Sequence, residues 1–161
     1  MPEKIELPDN IFERFVDAHV KMDLEALRSC LAEDTTWQSG GPGWMVHSAE
    51  GVVGVRSREW DNPNAKIRSL RWIEGPWGEQ RDDLIVAWGI VQLEMDTKEP
   101  PVEAAKLDKR CVMVLRRDDG EWRVLLDNWS RPRQNEYVTF TTDDESTVRY
   151  FDYAAVAGPL T

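Results

Sequence analysis

The chain has 161 residues, of which 41% are hydrophobic and 31% are charged, and its formal charge at pH 7 is −10. This length suits one domain with a sizeable hydrophobic core. The acidic balance argues against a nucleic-acid partner and against docking on anionic lipid, because both of those partners are negatively charged. The longest uncharged apolar run, residues 84–93, falls far short of the roughly 20 residues that span a bilayer.

The first part of the chain has the pattern of helices. Residues 9–22 repeat apolar side chains at every third or fourth position, which predicts an amphipathic helix. Asp23 is a good N-cap, and a second helix is predicted over residues 24–34. A third helix is predicted after Ser48, although its two glycines and three valines make it a poor helix former.

The second part has the pattern of strands. A short strand precedes the third helix, three long strands follow that helix, and an Asp-Gly turn then leads into a closing strand. The strands before that turn are predicted at residues 35–39, 66–77, 83–96 and 106–117. Helices followed by consecutive antiparallel strands indicate an α+β domain, with the helices packed against one face of a curved sheet.

Residues 133–161 follow this unit and are predicted to be a C-terminal arm. They are too few to form a core of their own. Their aromatic residues are too many for a disordered terminus, so we expect the arm to pack on the domain or on a partner. These aromatic residues include Tyr137, Phe140, Tyr150 and Phe151.

The N-terminus and the cysteines predict a cytoplasmic protein. Residues 1–10 carry acidic residues where a signal peptide would have its apolar region. Cys30 and Cys111 are too few for a disulfide framework and suit a reducing compartment. The two histidines and two cysteines show no metal-ligand spacing, and we expect neither a metal nor an organic cofactor.

Two blocks of the sequence resemble the nuclear transport factor 2-like superfamily. Residues 15–37, FVDAHVKMDLEALRSCLAEDTTW, resemble its opening helices and first strand. Residues 110–132, RCVMVLRRDDGEWRVLLDNWSRP, resemble the closing hairpin of its SnoaL-like branch, which has the polyketide cyclase and ketosteroid isomerase-like fold. The resemblance implies that residues 1–132 form a cone-like, antiparallel or mixed sheet with the N-terminal helices over its concave face.

The resemblance carries over little of the catalytic sets known in the superfamily. The positions of the ketosteroid isomerase base, its tyrosine and its second carboxyl fall on Ser39, on Phe15 and near Val112, so that activity is not expected. Limonene epoxide hydrolases have a pocket aspartate where Asp127 stands. Their other carboxylate and arginine would fall on Val91 and on Gly89, neither of which can do that chemistry.

The match at Asp127 implies that this side chain faces the cone interior with Leu125 and Trp129, while Asn128 faces outward. A slip of one residue would reverse both orientations. A carboxylate in an apolar cone can have a shifted pKa and transfer protons; the alternative is an acid exposed at the rim of the sheet.

Two further residues are candidates for the same chemistry. Counted back from the turn, Arg110 lies on the same side of its strand as Val112, and we predict that this side faces the cone interior. Arg110 could then reach Asp127. The alternative is that Arg110 forms only a weak salt bridge at the rim of the sheet. His19 lies one turn after Phe15 and could be a second proton carrier or a satisfied core residue. The other residues expected to contact a ligand are Phe15, Trp37, Ser39, Trp44, His47, Val91, Val112, Leu125 and Trp129.

The strand at residues 83–96 suggests a homodimer. If Ala87, Gly89 and Val91 point inward, Trp88 and Ile90 stand on the outer face of the sheet. Apolar residues there need cover, and sheet-to-sheet dimers are common in the superfamily that this sequence resembles.

Two functions of different classes remain open. The first is a cofactor-independent enzyme that cyclises, dehydrates, isomerises or hydrolyses a small, largely apolar molecule. The second is a non-catalytic module that uses the cone for a ligand or the sheet for assembly. Converging polar residues in a deep pocket would favour the enzyme, and a cone filled by its own tryptophans would favour the module.

Overall fold

A computed structural model describes residues 3–39, 45–61, 66–96, 104–130 and 139–141. The described helices follow a short 3-10 turn at Pro8–Asn10 and are α1 (Ile11–Lys21), α2 (Leu24–Cys30) and α3 (Ala49–Trp60). The described strands are β1 (Leu31–Ser39), β2 (Met45–His47), β3 (Lys66–Arg81), β4 (Leu84–Asp96), β5 (Ala104–Asp118), β6 (Glu121–Ser130) and β7 (Thr139–Thr141).

The strands form one mixed, curved sheet that is not closed into a barrel. Its order is β2-β1-β6-β5-β4-β3, and β7 pairs with β5 beside this path. The pair β1–β6 is parallel and the other pairs are antiparallel. The predicted α+β fold, with helices packed on one face of a curved sheet, is confirmed.

Backbone and side-chain hydrogen bonds fix the end of α1 and the start of α2. The α1 helix ends at Lys21, and the next residue, Met22, has a left-handed backbone that directs its N–H to the carbonyls of Ala18 and His19. The carboxylate of Asp23 accepts a hydrogen bond from the backbone N–H of Ala26 and caps α2, as predicted.

The predicted extent of α2 is wrong at its C-terminal end. The helix stops at Cys30, and residues 31–34 belong to β1. Leu31 pairs in parallel with Val124 of β6, and both side chains are buried. Strand pairing and burial therefore override the helical spacing of this segment, which is a weak preference by comparison.

The third predicted helix is confirmed as α3. The Ser48 hydroxyl accepts a hydrogen bond from the N–H of Gly51, which offsets the poor helix propensity of the segment. Ala49, Val52 and Arg56, spaced three and four residues apart, are the buried side chains of this helix, which packs on β1. The stripe that anchors α3 therefore includes one arginine.

The inner face of the sheet packs against the helices and forms the core. Phe12, Phe15 and Leu27 lie on the helix side and are buried. On the sheet side the buried apolar residues include Ile85, Ala87, Val91, Cys111, Met113, Leu115, Val124 and Trp129. Ala87 and Val91 thus face inward as predicted, and Trp88 between them is half-buried on the other face.

The predicted inward orientation of Arg110 and Val112 is wrong. Met113 pairs directly with Asp127 across the β5–β6 hairpin, and directly paired residues point to the same face. Because Asp127 is buried, Met113 is buried too, while Val112 is 38% exposed and Arg110 is exposed. Both faces of β5 are apolar in sequence, so alternation alone could not identify the buried one.

The C-terminal arm is described only at β7. Its backbone pairs with the start of β5, Ala104 opposite Thr141 and Lys106 opposite Thr139. Residues 131–138 and 142–161 lie outside the described part, so the predicted packing of Tyr137, Tyr150 and Phe151 and the division of the chain at residue 132 remain predictions. Among the described helices, none has the length and apolar character needed to cross a membrane.

Candidate functional site

A small buried cavity lies between α1, α3 and the sheet. The volume that the centre of a water molecule can occupy there is about 10 Å³, which is room for about one water molecule. Four of the eight lining side chains are apolar and four are polar. The lining residues are Phe15, His19, Leu31, Thr35, Trp37, Val52, Arg56 and Asp127.

Asp127 reaches this cavity because β6 contains a bulge. Val114 pairs with Leu126 but Leu115 pairs with Val124, so Leu125 is an extra residue on β6. Val124 before the bulge and Asp127 after it consequently point to the same face. Leu125, which was predicted to share the inward face with Asp127, is half-buried and does not line the cavity.

The carboxyl group of Asp127 is only partly satisfied. Its Oδ1 accepts a hydrogen bond from the indole Nε1–H of Trp129, two residues along the same strand. Its Oδ2 is buried and has no hydrogen-bond partner among the described residues. Burial raises the pKa of Asp127 to about 7, and the positive charge of Arg56 and the Trp129 bond lower that pKa only in part. This carboxyl can therefore exchange a proton near neutral pH.

Asn128 faces the opposite side of β6. Its side-chain amide donates a hydrogen bond of 2.8 Å to Oε1 of Gln38 on β1. The orientation of both strand residues, Asp127 inward and Asn128 outward, agrees with the prediction.

His19 enters the cavity from α1 as a neutral ring. Its Nδ1 lies 2.8 Å from the carbonyl oxygen of Phe15, which can only accept, so Nδ1 carries the proton. Its Nε2 is then a bare acceptor, and it is buried with no partner in the described structure. Burial and the charge of Arg56 lower the pKa of His19 to about 3, so the ring is a weak base at neutral pH.

Arg56 supplies the positive charge of the site. Its side chain is nearly buried, and its guanidinium carbon lies 4.6 Å from the centre of the Trp37 ring. Its Nη1 donates a 2.6 Å hydrogen bond to Glu59 on the same helix. Its Nε is buried without a partner in the part of the chain that the structure describes.

Aromatic rings pack closely around His19. The His19 ring centre lies 4.4 Å from that of Phe15, 5.7 Å from that of Trp60 and 6.3 Å from that of Trp129. These rings exclude water from the polar atoms of the cavity, which explains the strong effect of burial on both pKa values.

The structure brings together part of the predicted site. The predicted residues that line the cavity are Asp127, His19, Phe15 and Trp37. Trp129 is hydrogen-bonded to Asp127. The other predicted residues, in the described part of the chain, lie elsewhere: Val91 is in the core, Val112 and Arg110 are on the outer face, and His47 is exposed with Nδ1 3.1 Å from the Thr36 hydroxyl. Trp44 and the side chain of Ser39 lie outside the described residues.

Arg56 and Thr35 belong to the site but were not predicted. The sequence did contain a sign that Arg56 is buried, because this residue stands four positions after Val52 on the apolar stripe of a predicted helix. A charge on a buried stripe is costly unless it has a partner or a function. Thr35, which is 1% exposed, gave no signal because its burial depends on the parallel pairing of β1.

The described residues include no group of three or more His, Cys, Asp or Glu side chains that could hold a metal ion. Cys30 and Cys111 are buried free thiols, and burial raises the pKa of each. The chemistry available at the cavity is therefore that of one carboxyl group, one neutral imidazole, one guanidinium group and one hydroxyl group.

Comparison with known proteins places the fold. No protein-family model matches the chain, and no curated protein matches its sequence. Solved structures match at low identity. A nuclear transport factor 2-like superfamily protein from Salmonella enterica has a TM-score of 0.64 at 14% identity, over 78% of this chain and 88% of that one.

Two other solved structures agree with this match. A ketosteroid isomerase-like protein from Erwinia carotovora has a TM-score of 0.63 at 12% identity, over 78% of this chain and 94% of that one. A nuclear transport factor 2-like protein of unknown function from Pseudomonas putida has a TM-score of 0.58 at 15% identity, over 83% and 90%. The chain thus has the nuclear transport factor 2-like fold, as its two sequence blocks predicted.

Proposed function

We propose that the protein is a cofactor-independent acid–base enzyme that acts on a small, largely apolar molecule bound in the cone. The observation that carries the proposal is Asp127, a carboxyl group with 2% exposure that lines the cavity, has one oxygen without a partner among the described residues, and has a pKa of about 7. Buried groups with a pKa near the working pH are concentrated at catalytic sites.

Each polar residue of the cavity has a distinct role in this proposal. Asp127, in its ionised form, takes a proton from the bound molecule, and Trp129 orients the carboxylate. Arg56 takes the part first predicted for Arg110: its charge favours ionised Asp127 and stabilises negative charge that develops on the substrate. His19 accepts a hydrogen bond instead of carrying a second proton, because its pKa of about 3 leaves it uncharged.

This chemistry fits proton abstraction in a cyclisation, dehydration, isomerisation or hydrolysis, and the resemblance to the SnoaL-like branch supports the same range. We infer a cytoplasmic site of action, since both cysteines are buried thiols of the kind that a reducing compartment preserves.

A non-catalytic binding or assembly module is the second candidate. The size of the cavity favours it, because room for about one water molecule is far below the roughly 300 Å³ of a typical ligand pocket. An enzyme of this form must open its cone to admit substrate, whereas an assembly module need not.

The two candidates can be separated with freshly purified protein. Native mass spectrometry identifies the bound molecule, and turnover of that molecule is then compared in wild type, Asp127→Asn and Asn128→Asp. Asp127→Asn keeps the volume but removes the charge, so turnover is expected to fall at least 100-fold, on the order of a lost general base, while Asn128→Asp retains it. A molecule that binds and is never converted supports the binding module, and a wild type that binds nothing supports an assembly module.

We also propose that two copies of the chain associate through the outer face of the sheet. Two cross-strand pairs on β4 and β5 form an apolar outer patch, Val86 with Val114 and Trp88 with Val112. Val86 is 40% exposed and Val112 is 38% exposed, which is unusual for two neighbouring large apolar residues in the middle of a sheet. A second copy of the same patch would cover both.

A further inference from the structure

The guanidinium group of Arg56 interacts with two carboxyl groups in different ways. Its Nη1 donates a 2.6 Å hydrogen bond to Oε2 of Glu59, three residues along α3, and the two side chains form an ion pair. Arg56 and Asp127 both line the cavity, and the charge of Arg56 lowers the pKa of Asp127. Asp127 Oδ1, however, is bonded to Trp129, and Oδ2 has no partner among the described residues. Arg56 is therefore paired with Glu59 and acts on Asp127 through its electric field.

The different exposure of the two carboxyl groups explains this choice of partner. The side chain of Glu59 is 39% exposed, so water still solvates its ionised form. Asp127 is 2% exposed, and its ionised form has lost nearly all of that solvation. An arginine within reach of both groups gains more from the carboxylate that is already charged at neutral pH.

Arg56 can change its partner without a change in the fold. Its guanidinium carbon lies 4.6 Å from the centre of the Trp37 ring, and its Nε–H is buried without a partner in the part of the chain that is described. The cavity that Arg56 shares with Asp127 has room for about one water molecule, so a new rotamer of this long side chain is enough to cross it. A bond from Arg56 to Asp127 Oδ2 would be charge-assisted and would satisfy the unpartnered oxygen.

The other titratable groups that interact with Asp127 in the described structure are uncharged at neutral pH. His19 on α1 is neutral because burial and the charge of Arg56 lower its pKa to about 3. Cys111 on β5 is a thiol because burial and the charge of Asp127 raise its pKa. Thr35 on β1 lines the cavity and does not titrate in this range. The protonation of Asp127 therefore depends on where Arg56 is held.

We propose that Glu59 is a positioning residue of the site: it holds Arg56 away from Asp127 and so leaves the buried carboxyl group unpaired and able to exchange a proton. This inference rests on the proposed function, in which Asp127 is the base. Glu59 does not line the cavity and acts through Arg56. If Arg56 were paired with Asp127 instead, the carboxyl group would be ionised well below neutral pH and would be a weaker base.

Titration of Asp127 in two charge-removing variants of α3 tests the proposal. Glu59→Gln keeps the shape of the side chain and removes its charge, so Arg56 is expected to pair with Asp127 and to lower the Asp127 pKa by about 1–3 pH units. Glu50→Gln removes the same charge from the same helix, at a residue that is bonded to Arg28, and should leave the Asp127 pKa unchanged. Carbon-13 NMR of the Asp127 carboxyl measures the pKa in wild type and in both variants.

The same substitution in an Arg56→Met background separates positioning from a direct effect of the Glu59 charge. If Glu59 acts through Arg56, Glu59→Gln has no effect on the Asp127 pKa once Arg56 is replaced. An equal fall with and without Arg56, an equal fall in Glu50→Gln, or a rise in Glu59→Gln would each overturn the proposal. A fall clearly smaller than about one pH unit in Glu59→Gln would overturn it as well. Glu59 is partly exposed, so this single variant is expected to fold and can refute the proposal by itself.

The two proposals fail separately. An unchanged Asp127 pKa in Glu59→Gln removes the role of Glu59 and leaves Asp127 as the proposed base, because that role is judged from turnover. Conversely, full turnover in Asp127→Asn removes the acid–base chemistry. The dependence of the Asp127 pKa on Glu59 would still stand, because it is measured without a substrate.

Discussion

Asp127 and His19 face one buried cavity from the sheet and from helix α1, and burial displaces their pKa values in opposite directions. The pKa of Asp127 rises from 3.8 to about 7, and that of His19 falls from 6.5 to about 3. Between about pH 4 and 6.5, the folded protein holds one proton on this pair, on Asp127. The unfolded chain also holds one, on His19. The folded and unfolded states therefore carry this proton on different residues, but the number of protons on the pair is the same in both.

Because the two states hold the same number of protons on this pair, the pair gives the stability of wild type no pH dependence in this range. Removing either residue should make the stability depend on pH. Stability changes with pH by about 1.4 kcal/mol per unit for each proton by which the two states differ. In Asp127→Asn only His19 remains, and its unfolded form binds the extra proton, so stability relative to wild type should rise with pH between about 4 and 6.5. In His19→Phe only Asp127 remains, so relative stability should fall as the pH rises from about 4 to 7.

Urea unfolding at half-unit steps from pH 4 to 8 measures both slopes. Subtracting wild type removes the contributions of other titrating groups. Met45→Ala, a change at a 51% exposed apolar side chain, should give a flat difference. Flat differences in both cavity variants would show that neither group has the displaced pKa.

Arg56, and not Arg110, is expected to control the titration of Asp127. The Arg56 charge lowers the pKa of both Asp127 and His19, so Arg56→Met should raise both pKa values. Carbon-13 NMR of the Asp127 carboxyl and nitrogen-15 NMR of the His19 ring measure them. Arg110→Met, on the opposite face of the sheet, should leave the Asp127 pKa unchanged. A shift in the Arg110 variant of the size seen for Arg56 would contradict the site as described.

The outer sheet face predicts a dimer that one charge disrupts. Trp88→Glu places a carboxylate beside Val112 in the proposed interface, where desolvating it would be costly. Sedimentation velocity should show wild type as a dimer and this variant as a monomer. Met45→Glu puts the same charge on an exposed apolar position of the short strand β2 and should remain dimeric. An unchanged dimer in Trp88→Glu would exclude this face.

Two glycines predict opposite effects of alanine. Apart from its chain neighbours and the backbone of its own helix, a Cβ at Gly54 of α3 would meet no atom within 4 Å, so Gly54→Ala should stabilise the protein by about 0.5–1 kcal/mol through helix propensity. A Cβ at Gly89 of β4 would lie 2.3 Å from the carbonyl oxygen of Glu74 on the neighbouring strand, so Gly89→Ala should destabilise by about 1–3 kcal/mol. Thermal unfolding of the two variants measures the contrast, and equal midpoints would argue against the described pairing of β3 and β4.

Sequence alone was enough for the features that depend on local spacing. Helical periodicity located α1, the cap at Asp23 located the start of α2, and the cap at Ser48 marked the start of a poor helix. The Asp-Gly turn located the last hairpin. Two short blocks of sequence also predicted the superfamily fold, because these motifs recur where the chain turns and where strands begin.

Tertiary structure decided which faces are buried and which side chains meet. Both sides of β5 are apolar, so only the helices above the sheet identify Met113 as inward and Arg110 as outward. The bulge at Leu125 depends on pairing with β5 and places Asp127 inward on a strand whose first half has the opposite parity. Arg56 lies beside Asp127 only because α3 packs on β1, which pairs with β6 across about 90 residues of sequence. Contacts over such separations depend on strand pairing and helix packing, which local periodicity does not encode.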